Sequence, residues 1–406
     1  MAEKQRARVL ILGGTGFIGR NLVHYLVKNE LVAKVRVADK VPPQMAWLNP
    51  HHTESFSSPK VEFRHSNLIN PASVDNAFAD DGEEFDFVIN VAAETKYGQT
   101  EPVYKEGVVR LSHNCAVTAA RHKVKVYMEF STGQMYSSDK PEDDIKANKE
   151  DCKCDPWTHM ARHKLEVERD LENIPDLNYI IVRPAIVYGP GDKNGLTPRL
   201  IIGAIYKYMK EKMKMLWTKD LKMNTIHVED LCAAVWTLCQ QGKPGQIYNL
   251  VDKGDTTQGR ISELVSEIFD INFDFVGSIM SNMAKLNMTN VVEDINDKHM
   301  APWADACQRD NIVNTPLNPF IDQELLYNKH LCLDPARLTG MGFTWERPSL
   351  CVDTLREVLD DYIKMGLFPT SLLSGEVFYS QPVGDLVDGE AGEAGEDGEG
   401  GEADTV

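Results

Sequence analysis

The chain has 406 residues, of which 42% are hydrophobic, so it can bury a large core and a mainly disordered protein is excluded. Its net charge is −18, and the nine acidic residues of segment 381–406, which has no Lys or Arg, leave −9 on the rest. An acidic body without basic runs excludes nucleic-acid binding. With no signal sequence and no apolar run of about 18 residues, a cytoplasmic protein outside the membrane is expected.

Short β-branched runs alternate with longer helical patterns through the first 190 residues. The predicted strands are, in chain order, RVLILG, VRVAD, VEFRHSN, FDFVINVAA, VKVYMEFST and NYIIVRPAIVYG. Helices are expected at GFIGRNLVHYLVKN, at about 103–122 and around PWTHMARHKLEVERDL. Strands that are apolar almost throughout are typical of a parallel sheet covered on both faces. The sequence therefore predicts a doubly wound α/β fold of the Rossmann type.

Beyond residue 190 the strand signals become sparse. Helices are expected at 196–216 and 229–240, whereas residues 270–330 follow no clear period. We expect a nucleotide-binding domain at 1–190, a smaller α/β lobe interleaved with it at 191–369, and an extension at 370–406. From about 381 the extension is rich in Gly and Glu, and such a segment predicts a disordered tail.

The stretch RVLILGGTGFIG predicts a nucleotide-binding turn. Gly13, Gly16 and Gly19 recur every three residues between a strand and a helix. Small residues let the backbone approach a pyrophosphate, whose charge is favoured by the free N–H groups at the start of the helix. Two other interpretations stay open: the glycines only make a tight turn, or the site is a remnant that binds nothing.

Asp39 closes the next strand, twenty residues after Gly19. A carboxylate in this position accepts hydrogen bonds from the adenosine ribose and repels a 2′-phosphate. NAD is therefore favoured over NADP, although Arg20 and Lys40 keep NADP open.

Eight scattered cysteines suit a reducing compartment. Cys152 and Cys154 precede His159 and His163, but their spacing lacks the long separation between ligand pairs that is typical of zinc fingers. We predict no metal site.

Six motifs together resemble the extended short-chain dehydrogenase/reductase superfamily, which includes NAD-dependent epimerases and dehydratases. They are GGTGFIG, NVAAE at 90–94, FSTGQMYS at 130–137, RPAIVYGPGD at 183–192, NTIHVEDL at 224–231 and GFTWERPSL at 342–350. The resemblance implies an NAD site with contacts at Phe17, Ile18, Asn67, Leu68, Ala92, Ala93, Lys164 and Pro184, besides the glycines and Asp39.

Enzymes of this superfamily work through an Asn, a Ser or Thr, a Tyr and a Lys. The resemblance places the hydroxyl at Thr132 and the lysine at Lys164, where the ammonium is expected on the nicotinamide ribose. Four residues before the lysine stands Met160 instead of the tyrosine, and the Asn position is Val108. Neither side chain can transfer a proton. Tyr97, in the loop after NVAAE, is the candidate for a substitute acid.

Two functions follow from this comparison. The favoured hypothesis is an NAD-binding but catalytically impaired relative that acts as a sensor, a scaffold or a subunit of a protein assembly. The alternative is an active NAD-dependent epimerase, dehydratase or reductase, acting on a nucleotide-sugar or a related hydroxyl or carbonyl substrate with a non-standard acid/base group. The resemblance also allows a homodimer, because relatives commonly dimerise through the helices that correspond to the 103–122 helix and the Lys164 helix.

Overall fold

A parallel sheet organises the protein in a computed structural model that describes residues 6–79, 84–136 and 145–374; the predicted acidic tail lies outside them. The strands are β1 (Ala7–Leu12), β2 (Val32–Asp39), β3 (Val61–His65), β4 (Phe87–Asn90), β5 (Val126–Phe130), β6 (Tyr179–Pro184), β7 (Ile186–Tyr188), β8 (Met213–Met215), β9 (Thr225–His227), β10 (Gln246–Leu250) and β11 (Phe273–Phe275). Seven of them form the central sheet in the order β10-β6-β5-β4-β1-β2-β3, with every pairing parallel.

Helices cover both faces of the sheet and build a second cluster in the later part of the chain. They are α1 (Phe17–Lys28), α2 (Pro50–Phe56), α3 (Pro71–Phe78), α4 (Glu101–Tyr104), α5 (Leu111–Arg121), α6 (His159–Leu171), α7 (Thr197–Met209), α8 (Val228–Gln241), α9 (Gln258–Phe269), α10 (Gly277–Lys285), α11 (Met288–Arg309), α12 (Ala336–Gly340), α13 (Val352–Lys364) and α14 (Ser371–Ser374). A π-helical segment, Lys105–Arg110, joins α4 to α5.

Both faces of the sheet are buried. In β1, Val9 and Ile11 pack with α1 and α8 on one face, while Leu10 and Leu12 pack with α3, α5 and α6 on the other. All four side chains are inaccessible to solvent. This confirms the doubly wound α/β fold and explains why the strand shows no polar alternation.

The chain beyond residue 190 adds a second apolar cluster, built mainly from α7, α9, α11, α13 and α14. The helix predicted at 196–216 ends at Met209, because Lys210 adopts a left-handed conformation (φ 55°) and the chain continues into β8. Residues 270–330, which showed no clear period, contain the 22-residue helix α11. One compact unit, Met1–Gly375, contains all described residues, and the boundary expected at 190 stays a prediction.

Candidate functional site

The candidate site lies at the carboxyl edge of the sheet, where the strand order changes direction between β1 and β4. In open α/β sheets, ligands bind at such a switch point. Gly13 follows β1 with φ +80°, and a Cβ on it would lie 2.7 Å from the backbone of Ala92, which follows β4. Only glycine fits this turn, and the close approach joins the two loops that flank the switch point.

The first helix begins without a side-chain cap. Gly16, its N-cap residue, is exposed and makes no capping bond, so the first N–H groups of α1, starting at Phe17 and Ile18, lack a partner within the helix. Gly19 packs on Gly14, since a Cβ there would come within 2.5 Å of the Gly14 Cα. The turn therefore offers exposed donors and a helix dipole to an anion.

Asp39 lies beside this turn at the end of β2. Its carboxylate accepts an N–H from Thr15 at 3.1 Å and another from Val41 at 3.0 Å. A carboxylate can accept about four hydrogen bonds, so capacity for ligand hydroxyls remains. The structure thus brings Asp39 and the glycine turn together.

The other cofactor candidates lie along the same edge. Asn67 is exposed and Leu68 is buried just after β3, whereas Ala92 and Ala93 are half-buried after β4. Pro184 is the buried last residue of β6. Because parallel strands end on one side of a sheet, all of these positions face the same cleft region.

Arg20 is buried beneath the turn. Its guanidinium donates to the carbonyl of Thr15 at 2.6 and 3.1 Å, to Ala46 at 2.6 Å and to Trp47 at 2.8 Å. Its nitrogens are thus directed at backbone carbonyls, and the side chain ties the glycine turn to the loop after β2.

Lys164 of α6 points into the protein. Its ammonium donates to Glu129 Oε1 at 3.2 Å and to the carbonyl of Phe130 at 2.5 Å. The Lys164 side chain is 5% exposed and the Glu129 side chain is fully buried. The resemblance implied a lysine on the nicotinamide ribose, whereas the structure pairs this lysine with a carboxylate under the sheet edge.

Glu129 is satisfied by three further donors. Asn90 and the Tyr127 hydroxyl donate to Oε2, each at 2.7 Å, and Ser112 donates to Oε1 at 3.0 Å. Burial raises the pKa of the Tyr127 phenol, and the adjacent Glu129 carboxylate raises it further, so the phenol remains a donor. This buried network holds the lysine in place, because the Glu129 carboxylate loses its only cationic partner in the network if the lysine leaves.

The two positions that the resemblance matches to the catalytic tyrosine and asparagine belong to the apolar core. Met160 is 8% exposed and Val108, in the π-helical segment, is fully buried in the same cluster as Tyr104. His163 stacks on the Tyr104 ring at 5.4 Å and is bonded through Nδ1 to the His159 carbonyl at 2.8 Å. Among the described residues, the Lys164 ammonium makes no hydrogen bond to a phenol or an imidazole; the phenol of Tyr127 shares its Glu129 carboxylate but bonds the other oxygen.

Thr132 and Tyr97 are linked through one glutamine. The Thr132 hydroxyl caps a 3₁₀ turn, Gly133–Met135, by accepting the N–H of Gln134 at 3.2 Å. The Gln134 side chain donates to the Tyr97 hydroxyl at 2.8 Å and accepts from Thr158 at 2.9 Å. Burial raises the pKa of Tyr97 to about 12, although the Gln134 bond opposes this shift. The phenol therefore stays protonated near neutral pH.

Comparisons with known proteins agree with this architecture. The family model of the NAD-dependent epimerase/dehydratase family matches residues 9–250, more than half of the chain. The chain belongs to this family. It is 24% identical over 261 residues to a dTDP-D-glucose 4,6-dehydratase of Dictyostelium discoideum, which covers 60% of the chain and 58% of that protein. With the human dTDP-D-glucose 4,6-dehydratase it shares 22% over 308 residues, which cover 72% of the chain and 79% of the human protein.

Solved structures of the same fold cover more of the chain. The dTDP-glucose 4,6-dehydratase of Bacillus anthracis with NAD has a TM-score of 0.63 at 16% identity and covers 88% of the chain and 97% of that protein. The UDP-glucose 4-epimerase of Thermus thermophilus with NAD has a TM-score of 0.61 at 18% identity, with 88% and 99% covered. At these identities the likeness shows the fold alone. Among the described residues, the structure contains no helix long and apolar enough to cross a bilayer.

The sequence motifs did not predict one residue that the structure places at the candidate site, Glu324. Glu324 reaches α6 from a segment 165 residues away, and its Oε1 accepts the N–H of His159 at 2.7 Å. Its other oxygen is buried without a hydrogen-bond partner among the described residues. Its carboxylate also contributes to the raised pKa of Tyr97. No local motif signals this contact, because it depends on how residues 310–330 return to the sheet.

Proposed function

We propose that this chain is a family member that binds a nicotinamide dinucleotide, NAD in preference to NADP, but is catalytically impaired. The observation that carries the proposal is the buried pair of Lys164 with Glu129, at 3.2 Å, next to a helix position occupied by Met160. In the superfamily this lysine contacts the nicotinamide ribose and lowers the pKa of the catalytic tyrosine. Here we propose that it pairs with the Glu129 carboxylate instead, and that Met160 stands in the place of the tyrosine.

The geometry of the turn supports dinucleotide binding. Exposed N–H groups at the start of α1 suit a pyrophosphate, and Asp39 suits the ribose hydroxyls of adenosine. The negative charge of Asp39 disfavours a 2′-phosphate, and the Arg20 guanidinium is directed at four backbone carbonyls. The related structures from Bacillus anthracis and Thermus thermophilus hold NAD, which agrees with this assignment.

Bound NAD would supply a hydride acceptor, but its use requires a partner that moves a proton. General acid–base groups typically contribute about 10²–10⁴ in rate. Met160 and Val108 cannot take this role, and the raised pKa of Tyr97, about 12, disfavours it as a base. We therefore propose a sensor, a scaffold or an assembly subunit whose state depends on bound NAD.

The test combines binding with turnover. We expect calorimetry to give micromolar affinity for NAD and at least tenfold weaker affinity for NADP. Incubation with dTDP-glucose or UDP-glucose, the substrates in the names of the relatives, should give no product and no NADH absorbance. Rapid turnover of either sugar nucleotide would refute impairment, and an absence of NAD binding would refute the dinucleotide site.

One observation favours the alternative of an active epimerase, dehydratase or reductase. Tyr97 accepts a bond from Gln134, inside the motif that carries Thr132, and no acceptor for its own proton lies within hydrogen-bond distance among the described residues. The phenol could donate that proton to a substrate. Under this alternative, Tyr97→Phe abolishes turnover while NAD affinity stays unchanged.

A further inference from the structure

A cavity of about 690 Å³ opens beside the loop that follows β2. Its apolar walls are formed by eight residues: Pro43, Met45, Trp47, Leu48, Phe56, Phe63, Met365 and Leu367. None of the residues proposed for the dinucleotide lines it. The volume is in the range of sites that bind small molecules, about 300–1,000 Å³.

The lining carries no charge. Gln44, Thr53, Ser57 and Asn314 are the polar members, and all twelve described lining residues are uncharged in a chain that is 26% charged. Such a surface cannot pair with a carboxylate, a phosphate or an ammonium group, whose desolvation would go uncompensated. It suits an apolar occupant with one or two hydrogen-bonding groups.

Trp47 forms the wall under backbone strain. Its φ is +55°, a left-handed conformation that bulky residues rarely adopt. The buried Arg20 fixes the backbone in this strained conformation, because its guanidinium donates to the Trp47 carbonyl at 2.8 Å and to the Ala46 carbonyl at 2.6 Å. Strained residues that the surroundings hold in place concentrate at functional sites.

Two apolar side chains at this cavity stay in contact with water. Met45 is 71% exposed and Trp47 is 38% exposed. An indole presents a flat face on which planar rings stack, and a thioether adapts to irregular shapes. We propose that the cavity binds an uncharged small molecule with a planar apolar ring system, separate from the dinucleotide.

The test uses two dyes that share one ring system. Neutral dansylamide should bind saturably with enhanced fluorescence, and anionic dansylglycine should bind at least tenfold more weakly. Met45→Glu, which puts a charge at a largely exposed position, should weaken dansylamide at least tenfold. Trp47→Gly should do the same, because glycine accepts the left-handed backbone while the wall is lost. Circular dichroism should confirm that both variants are folded.

A matched control is Ile279→Glu on α10, where Ile279 is 81% exposed and remote in sequence from the cavity. It should leave dansylamide affinity within twofold. The proposal is overturned if neither dye binds, if both bind equally, or if Ile279→Glu weakens binding while the cavity variants do not. Strict competition between NAD and dansylamide, with no saturating limit to the loss of dansylamide affinity as NAD rises, would assign the cavity to the dinucleotide site. Affinity that falls with rising protein concentration would mean that a second copy covers it, and either result also overturns the proposal.

Discussion

Replacing Lys164 with methionine separates a structural lysine from one that holds a cofactor. The lysine and Glu129 side chains are 5% and 0% exposed, so Lys164→Met leaves a buried carboxylate without its cation. Breaking a buried pair in this way costs about 3–5 kcal/mol. Domains have about 5–15 kcal/mol of stability, so the variant should remain folded at low temperature. We expect urea denaturation to show this loss and calorimetry to show an NAD affinity within twofold of the original.

If Lys164 instead binds the cofactor, the expected loss of NAD affinity in Lys164→Met can be calculated. If the ammonium binds the cofactor, a charged hydrogen bond of about 1.5–3 kcal/mol is lost. NAD affinity then falls by about 10- to 150-fold, since 1.4 kcal/mol is a factor of ten. That fall, with stability unchanged, would refute the reasoning. The control is Lys105→Met, which removes a half-exposed lysine paired with Glu166 at 2.9 Å and should leave the urea midpoint nearly unchanged, because solvent screens an exposed ion pair.

Three further changes probe the site and the core. Asp39→Ala should weaken NAD at least tenfold in calorimetry by removing the ribose acceptor, and unchanged affinity would place the dinucleotide elsewhere. Gly16→Val should weaken NAD sharply by adding bulk to the turn, and it should also lower the thermal unfolding midpoint, because a Cβ there would lie 3.2 Å from the Gly13 carbonyl oxygen; unchanged NAD affinity in a folded variant would contradict this. His227 is buried, which lowers its pKa to about 3 from 6.5, so it stabilises the fold above pH 6.5 and this contribution is lost as pH falls towards 3. His227→Asn keeps an N-cap acceptor on α8 and should lose less stability than the original chain between pH 6.5 and 4.5 in urea denaturation; equal losses would exclude this role.

The sequence predicts what is encoded locally. The glycine turn, Asp39 and the burial of β1 each follow from a short stretch whose spacing is sufficient, and the fold confirms the sheet that they imply. The placement of Met160 at the tyrosine position rests on the resemblance and stays a prediction.

Long-range contacts explain what the sequence did not predict. Glu129 stands in VYMEF, a strand that reads as apolar, and its pairing with Lys164 depends on α6 crossing β5. Glu324 reaches α6 only because the chain returns after α11. The helix expected to 216 ends early because Lys210 turns left-handed, and lysine carries no marked preference for this conformation.

The Arg20 guanidinium touches two regions at once, since it bonds the carbonyl of Thr15 in the glycine turn and the carbonyls of Ala46 and Trp47 beside the cavity. A movement of the Arg20 side chain would therefore change hydrogen bonds both in the glycine turn and beside the cavity. Coupling free energy between two ligands is reciprocal. If a cavity occupant changes the NAD affinity through Arg20, NAD must change the affinity of that occupant by the same factor. The fraction of cavities that are occupied would then depend on the NAD concentration.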